Sequence, residues 1–145
     1  MNTVAETMTT DVLSVDPQNS VATAIRLMRT GQLRRLPVVE DGKLVGIVTS
    51  GDVRRITGMS SVVRDPSGDN FLWQHIPVAN VMTYEVVTTS PDMLIADAAR
   101  LMIEHKIGGL PVVDRGRLVG ILTTSDLLAA LIDCEQSIEP LVALT

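Results

Sequence analysis

Two pairs of residues in this chain have the types and the spacing to hold a polar ligand. Thr49 and Asp52 close the run Gly46-Ile47-Val48-Thr49-Ser50-Gly51-Asp52, and Thr123 and Asp126 close Gly120-Ile121-Leu122-Thr123-Thr124-Ser125-Asp126. In each run, apolar strand-forming residues give way to polar residues that open a helix. A helix start leaves several backbone N–H groups without intrahelical partners, and its positive end suits a phosphate. A threonine hydroxyl can donate or accept. An ionised aspartate offers two acceptor oxygens that match two neighbouring hydroxyls, such as the 2′ and 3′ oxygens of ribose. The same residues also have a purely structural use, with Thr as the N-cap and the Asp three residues later answering free N–H groups. Local chemistry leaves both uses open.

Other reactive residues form no recognisable set. Cys134 has no His or Asp placed beside it by motif, and His75 and His105 stand 30 positions apart in different kinds of segment. Neither histidine joins Cys134 in a metal-binding pattern. No phosphate loop ending Gly-Lys-Ser/Thr and no Gly-x-Gly-x-x-Gly occurs. Asp52 and Asp126 could do acid–base work, but no nucleophile pattern accompanies them. The expectation is therefore that the chain is not an enzyme.

The two Thr/Asp runs belong to a longer duplication. Residues 36–53 and 110–127 are 74 positions apart, and eleven of their 18 paired positions are identical. The register extends outward without a gap: Met8-Thr9 with Met82-Thr83, Pro17 with Pro91, Met28 with Met102. Such self-similarity marks an internal repeat. A unit this small covers its own apolar faces poorly, so the two copies are expected to pack on one another.

Each copy has the same order of elements. An extended piece comes first (Val12–Val15, Glu85–Thr88), then a Pro-containing turn, then a helix. Val21, Ala24, Ile25 and Met28 have the spacing of a one-sided helix, as do Ile95, Ala98, Ala99 and Met102. Asn19 is the expected N-cap of the first. In the second that position is Met93, so Asp92 must cap or the end frays. Two strands follow, Leu36–Val39 and Leu44–Val48 around Glu40-Asp41-Gly42-Lys43. The second copy has Leu110–Val113 and Leu118–Leu122 around Asp114-Arg115-Gly116-Arg117. The turn glycines supply a backbone angle that other residues resist. A last helix begins near Ser50 and again near Thr124. The fold class expected is α/β, two units of order β-α-β-β-α.

The pattern breaks over 57–77. Asp65-Pro66-Ser67-Gly68-Asp69 reads as a turn or loop. Phe71 and Trp73 either pin this connector onto the units or meet another subunit. The division expected is 1–63 as first unit, 64–76 as connector, 77–135 as second unit and 136–145 as a tail containing Pro140.

Composition sets the outer bounds. The chain has 145 residues, 46% hydrophobic but 2% aromatic, so its core is built from Val, Leu, Ile, Ala and Met. Seventeen Asp and Glu outnumber twelve Lys and Arg, a formal charge of −5 that argues against a non-specific nucleic-acid binder. The lone Cys134 cannot form an internal disulfide, which points to a reducing compartment. No signal-peptide pattern and no bilayer-length apolar run is seen, so the cytoplasm is the expected location.

In ordered series these residues resemble a known module. Met8-Thr9, Asp16-Pro17, the helix through Met28, Leu36-Pro37-Val38-Val39, Gly42, Leu44-Val45-Gly46-Ile47-Val48-Thr49 and Asp52 look like one CBS domain, the module named after cystathionine β-synthase. Met82-Thr83, Ser90-Pro91, the helix through Met102, Leu110-Pro111-Val112-Val113, Gly116, Leu118-Val119-Gly120-Ile121-Leu122-Thr123 and Asp126 look like a second. The resemblance covers nearly all of the chain except part of the connector and the tail.

The resemblance implies a tandem pair, the Bateman module, with its units packed about a pseudo-two-fold axis and two clefts between them. It implies an adenosine ligand: AMP, ADP or ATP, with S-adenosylmethionine or NAD as further members of that class. Asp52 with Thr49, and Asp126 with Thr123, would hold ribose and phosphate. Val12–Val15 and Tyr84–Val87 would line the base pockets, with Val15 and Val87 among the contacts. Arg34 or Arg35 would meet phosphate through a fork of donors. Gly108-Gly109 stand in their place in the second copy and supply no side chain. Lys and Arg number eight in residues 1–74 and four in 75–145, so one good nucleotide site and one weaker or empty site are expected.

The function so implied is a regulatory sensor that forms a homodimer and acts on a separate effector protein. The competing reading is a structural or interaction module whose clefts bind nothing. A nucleic-acid-linked role has family precedent, but the acidic charge and the lack of a DNA-binding helix pair weigh against it.

Overall fold

The computed structural model describes the backbone of residues 2–57 and 71–143, and the side chains of residues 2–56 and 73–136. The order of elements is α1 (Val4–Thr7), α2 (Val21–Gly31), β1 (Arg35–Glu40), β2 (Lys43–Thr49), α3 (Ser50–Thr57), α4 (Phe71–His75), a 3-10 turn (Val78–Asn80), α5 (Ile95–His105), β3 (Gly109–Asp114), β4 (Arg117–Thr123) and α6 (Thr124–Ala143). The helix α6 continues through Pro140, where a tail was expected from residue 136. The loop expected at 65–69 lies outside the described residues.

Each hairpin forms as its sequence predicts. β1 pairs antiparallel with β2, and β3 with β4. Both central turn residues have positive φ, 53° at Asp41 and 81° at Gly42, repeated at Arg115 and Gly116. That pair of angles matches the right-handed twist of the strands, which is why two-residue hairpins favour it. Pro37 removes no bond from the ladder, because the carbonyl of its pair partner Ile47 accepts instead from Thr83 N–H (2.8 Å). The leading strand of each unit is reduced to one parallel bridge, Val15 with Val38 and Thr89 with Val112.

The compact units do not follow the repeats. One consists of Leu13–Val86; the other combines Met1–Val12 with Val87–Thr145. The segment that leads into each repeat is thus part of the unit built on the other repeat. The bonds that hold these segments come in matched pairs 74 residues apart. Val78 N–H donates to Asn19 (2.7 Å) and Val4 N–H to Met93 (2.8 Å). Ile47 and Thr83 exchange both backbone bonds (3.0 and 2.8 Å), as Ile121 and Thr9 do (both 2.9 Å). Apolar side chains follow the same rule. Val78 and Met82 enter the core of the first unit with Ala24, Met28, Leu36, Val38 and Val48. Val4 enters the core of the second with Ala98, Met102, Leu110, Val112 and Leu122. Full burial of each such side chain contributes about 1.5–3 kcal/mol.

The helix caps correct the sequence expectation. Ser20, not Asn19, caps α2, its hydroxyl accepting from Thr23 N–H (3.2 Å). The Asn19 side chain instead accepts from Asp16 N–H (2.8 Å). No side chain caps α5, and Asp92 accepts from the Ser90 hydroxyl instead (2.8 Å). The first N–H of α5, on Ile95, is met by the Asn2 carbonyl (3.1 Å), as Val21 N–H is met by Ile76 (2.8 Å). The exchanged segments therefore satisfy the helix starts. Trp73 is 3% exposed against Val21, Ala22 and Ile25, so it pins its segment to α2.

Candidate adenosine-binding site

The strand β2 ends at Thr49 and α3 starts at Ser50, so the Thr/Asp motif falls on the boundary between them. Thr49 N–H donates to Asp52 Oδ2 (2.9 Å), and Asp52 N–H donates to Thr49 Oγ1 (3.1 Å). Thr123 and Asp126 repeat both bonds, at 2.9 and 3.2 Å. This is a reciprocal capping box with Asp in the place of Glu. The structural use of the motif is therefore realised in both units.

The cap uses Oδ2 of each carboxylate and leaves Oδ1 for another group. In the first unit, Arg55 binds Asp52 Oδ1. Asp52 is 3% exposed, while the Arg55 side chain is largely in solvent. In the second unit, the Thr9 hydroxyl donates to Asp126 Oδ1 (3.2 Å). One hydroxyl thus already donates to an acceptor oxygen of Asp126. Thr9 arrives on the exchanged segment, and reasoning from sequence missed it as a site residue. The signal was present in the recurrence of Met-Thr at 8–9 and 82–83.

Backbone donors at the helix starts are less available than the sequence suggests. Ser50 N–H donates to the Arg34 carbonyl (2.8 Å), and Thr124 N–H to the Gly108 carbonyl (3.0 Å). With Asp52 and Asp126 N–H taken by threonine, two of the first N–H groups of each helix are filled. A phosphate here would depend on side chains. The Arg34 bond brings two arginines to the start of α3. Arg34 is exposed and Arg35 half-buried. Burial, and then the charge of Arg34, lower the Arg35 pKa from its ordinary value. At the matching place in the second unit stand Gly108 and Gly109.

The apolar contacts divide differently from the expectation. Val15 is 3% exposed and lies in the core of the first unit, so its side chain is not presented to a ligand. Its true counterpart is Thr89, 4% exposed, whose hydroxyl donates to Met93 Sδ (3.0 Å). Val87 is half-buried against the core of the second unit. Leu13 and Tyr84, which are 43% and 66% exposed, are the accessible apolar residues of these lead-in segments.

Asp126 lines a concavity of about 560 Å³ in the second unit, with Asn2, Glu6, Thr7, Ala129, Ala130, Asp133 and Cys134. Small-molecule sites have volumes of about 300–1,000 Å³. Its charged lining residues are all acidic. Among the described residues no group of His, Cys, Asp and Glu could hold a metal ion.

Two units of one α/β pattern, each with a Thr/Asp pair capping its second helix, define a tandem repeat module. The CBS domain family matches residues 4–57 and 78–133, and the chain belongs to that family. The CBS domain-containing protein YhcV of Bacillus subtilis is 36% identical over 127 residues, covering 88% of this chain and 84% of YhcV. The crystal structure of CBSX2 in complex with AMP matches with a TM-score of 0.78 at 30% identity, covering 93% of this chain and 99% of CBSX2. The CBS domain pair of MJ0100, solved with 5′-methylthioadenosine and S-adenosyl-L-methionine, matches with a TM-score of 0.72 at 26% identity, covering 90% and 96%. No helix among the described residues is long and apolar enough to cross a membrane.

Proposed function

We propose that this chain is a regulatory module that binds an adenosine compound of the AMP, ADP or ATP type and acts on a separate partner protein. Asp52 and Asp126 accept from the ribose hydroxyls, Thr49 and Thr123 support them, and Arg34 and Arg35 meet phosphate. The bond from Ser50 N–H to the Arg34 carbonyl (2.8 Å) carries the reading, because it joins two arginines to the helix start that holds Asp52. Adenosine ligands in CBSX2 and in MJ0100 support the ligand class. The first unit takes the phosphorylated nucleotide. The second, with Gly108-Gly109 and an acidic concavity, binds phosphate poorly and suits a nucleoside without it.

A ligand hydroxyl at Oδ1 competes with the Arg55 and Thr9 contacts, so occupied and empty states differ in their local bonds. A ligand that prefers one state shifts the population, and the partner reads that shift. The module works as a homodimer in the cytoplasm, where the exposed Cys134 stays reduced. A second reading, an interaction module with no ligand, is favoured by the completeness of the capping boxes, which account for Thr and Asp without a nucleotide.

Calorimetric titration of the folded chain with AMP, ADP, ATP, S-adenosylmethionine and NAD decides between them. An adenine nucleotide should bind, and Asp52→Ala should weaken it by about tenfold or more, the loss of a charged acceptor. Absence of heat and of thermal shift with every ligand would leave the interaction reading.

A further inference from the structure

The two Thr/Asp pairs make the same cap but give their remaining oxygen to different partners. In the first unit that partner is a cation: Arg55, three residues on along α3, pairs with Asp52 Oδ1. In the second unit the residue at that place is Ala129, and Asp126 Oδ1 accepts from the neutral Thr9 hydroxyl (3.2 Å). Burial follows the same division. Asp52 is 3% exposed, whereas Asp126 is half-buried and lines the concavity together with Ala129. The Arg55 side chain is itself 72% exposed, so its guanidinium can turn away without disturbing the core.

These partners set different terms for a ribose hydroxyl. At Asp126 it competes with another neutral hydroxyl, an exchange of like for like. At Asp52 it competes with an ion pair, and a charge-assisted bond is roughly twice as strong as a neutral one. A nucleoside has nothing to offer the arginine it displaces. A nucleotide has a phosphate, a second anion whose oxygens suit the guanidinium fork. Resting on the adenosine-binding reading above, we propose that Arg55 is a specificity-determining latch on the first site. It disfavours unphosphorylated nucleosides by holding Asp52, and it admits nucleotides by moving from Asp52 to their phosphate. A basic side chain that only attracted phosphate would strengthen nucleotide binding and leave nucleoside binding untouched. One that also holds Asp52 acts against the nucleoside.

Calorimetric titration of the full chain with AMP and with adenosine tests this, in an Asp126→Asn background so that the first site dominates the isotherm. Arg55→Ala should tighten adenosine by about threefold to tenfold and weaken AMP, so the preference for AMP should fall by about tenfold or more. Arg55→Gln should behave as Arg55→Ala does, since it keeps a neutral donor and loses the charge. In an Asp52→Asn background, Ala129→Arg should install the latch in the second unit and weaken adenosine there. Arg55 and Ala129 are both exposed, and circular dichroism checks that each variant folds. An unchanged preference in Arg55→Ala, or adenosine binding no tighter than before, overturns the latch while ribose binding at Asp52 stands. A wild-type chain that binds neither AMP nor adenosine removes the adenosine reading and the latch together.

Discussion

Met82 lies directly against Gly46. A Cβ added to Gly46 would stand 2.6 Å from the Met82 sulfur and 3.0 Å from the Thr83 carbonyl oxygen. Met8 and Gly120 repeat the relationship, at 2.6 Å from the sulfur and 2.9 Å from the Thr9 oxygen. Each glycine is thus the place where an exchanged segment touches the strand it joins. The Met-Thr pair is needed for the same reason: Met fills the space, and Thr closes the backbone bridge.

Gly46→Ala and Gly120→Ala should each destabilise the chain by about 1–3 kcal/mol, the usual effect of overpacking. Thermal unfolding measures it. Because the sulfur is the nearest obstacle, Gly46→Ala combined with Met82→Ala should be less damaging than the sum of the two changes. Strict additivity would show that Met82 does not press on Gly46.

The capping boxes make a second pair of expectations. Thr49→Ala and Thr123→Ala should each cost about 0.5–2 kcal/mol, the range for loss of an N-cap, and Thr→Ser should recover most of it. Denaturant titration reads the difference. If Thr→Ala leaves stability unchanged while abolishing nucleotide binding, the motif is a ligand site and its cap contributes nothing.

The hairpin turns differ in one residue that matters. Arg115 holds φ 53° where the first repeat has Asp41 at the same angle. Side chains with a Cβ resist this region, Asp and Asn least. Arg115→Asn should raise stability by roughly 0.5–1 kcal/mol, and Asp41→Arg should lower it by a similar amount. A fall in melting temperature for Arg115→Asn would mean that the arginine makes a compensating contact.

Trp73 reports on the first unit. It is the single tryptophan, 3% exposed against Val21, Ala22 and Ile25. Its fluorescence should be blue-shifted in the native chain and move to the red as that unit opens. Trp73→Ala should cost about 3–5 kcal/mol. Emission typical of water in the native state would contradict the packing.

Much of this protein is legible in its sequence because the causes are local. Strand, turn and helix start follow one another within eighteen residues, and alternation, a positive-φ glycine and a Thr/Asp pair each act on near neighbours. Hence both hairpins, both second helices and both capping residues stand where the residues alone place them. The expectations that failed depended on distant partners. Asn19 looked like a cap, but Ser20 holds that place once the Ile76 carbonyl, far along the chain, meets Val21 N–H. The start of α5 has no capping side chain and needs none, because Asn2 supplies a carbonyl. Val15 was read as a ligand contact, yet burial of its apolar side chain beside Leu36 and Val38 is worth more to the fold than exposure.

The sequence by itself determined that this is a doubled α/β pattern with two Thr/Asp pairs at strand-to-helix boundaries. Only the tertiary structure decided which lead-in segment completes which unit, and so that Thr9 would reach Asp126 from 117 positions away. The physical reason is that the two repeats are nearly identical in what their strands accept. Both lead-ins carry the same Met-Thr pair, and local chemistry alone does not choose between them.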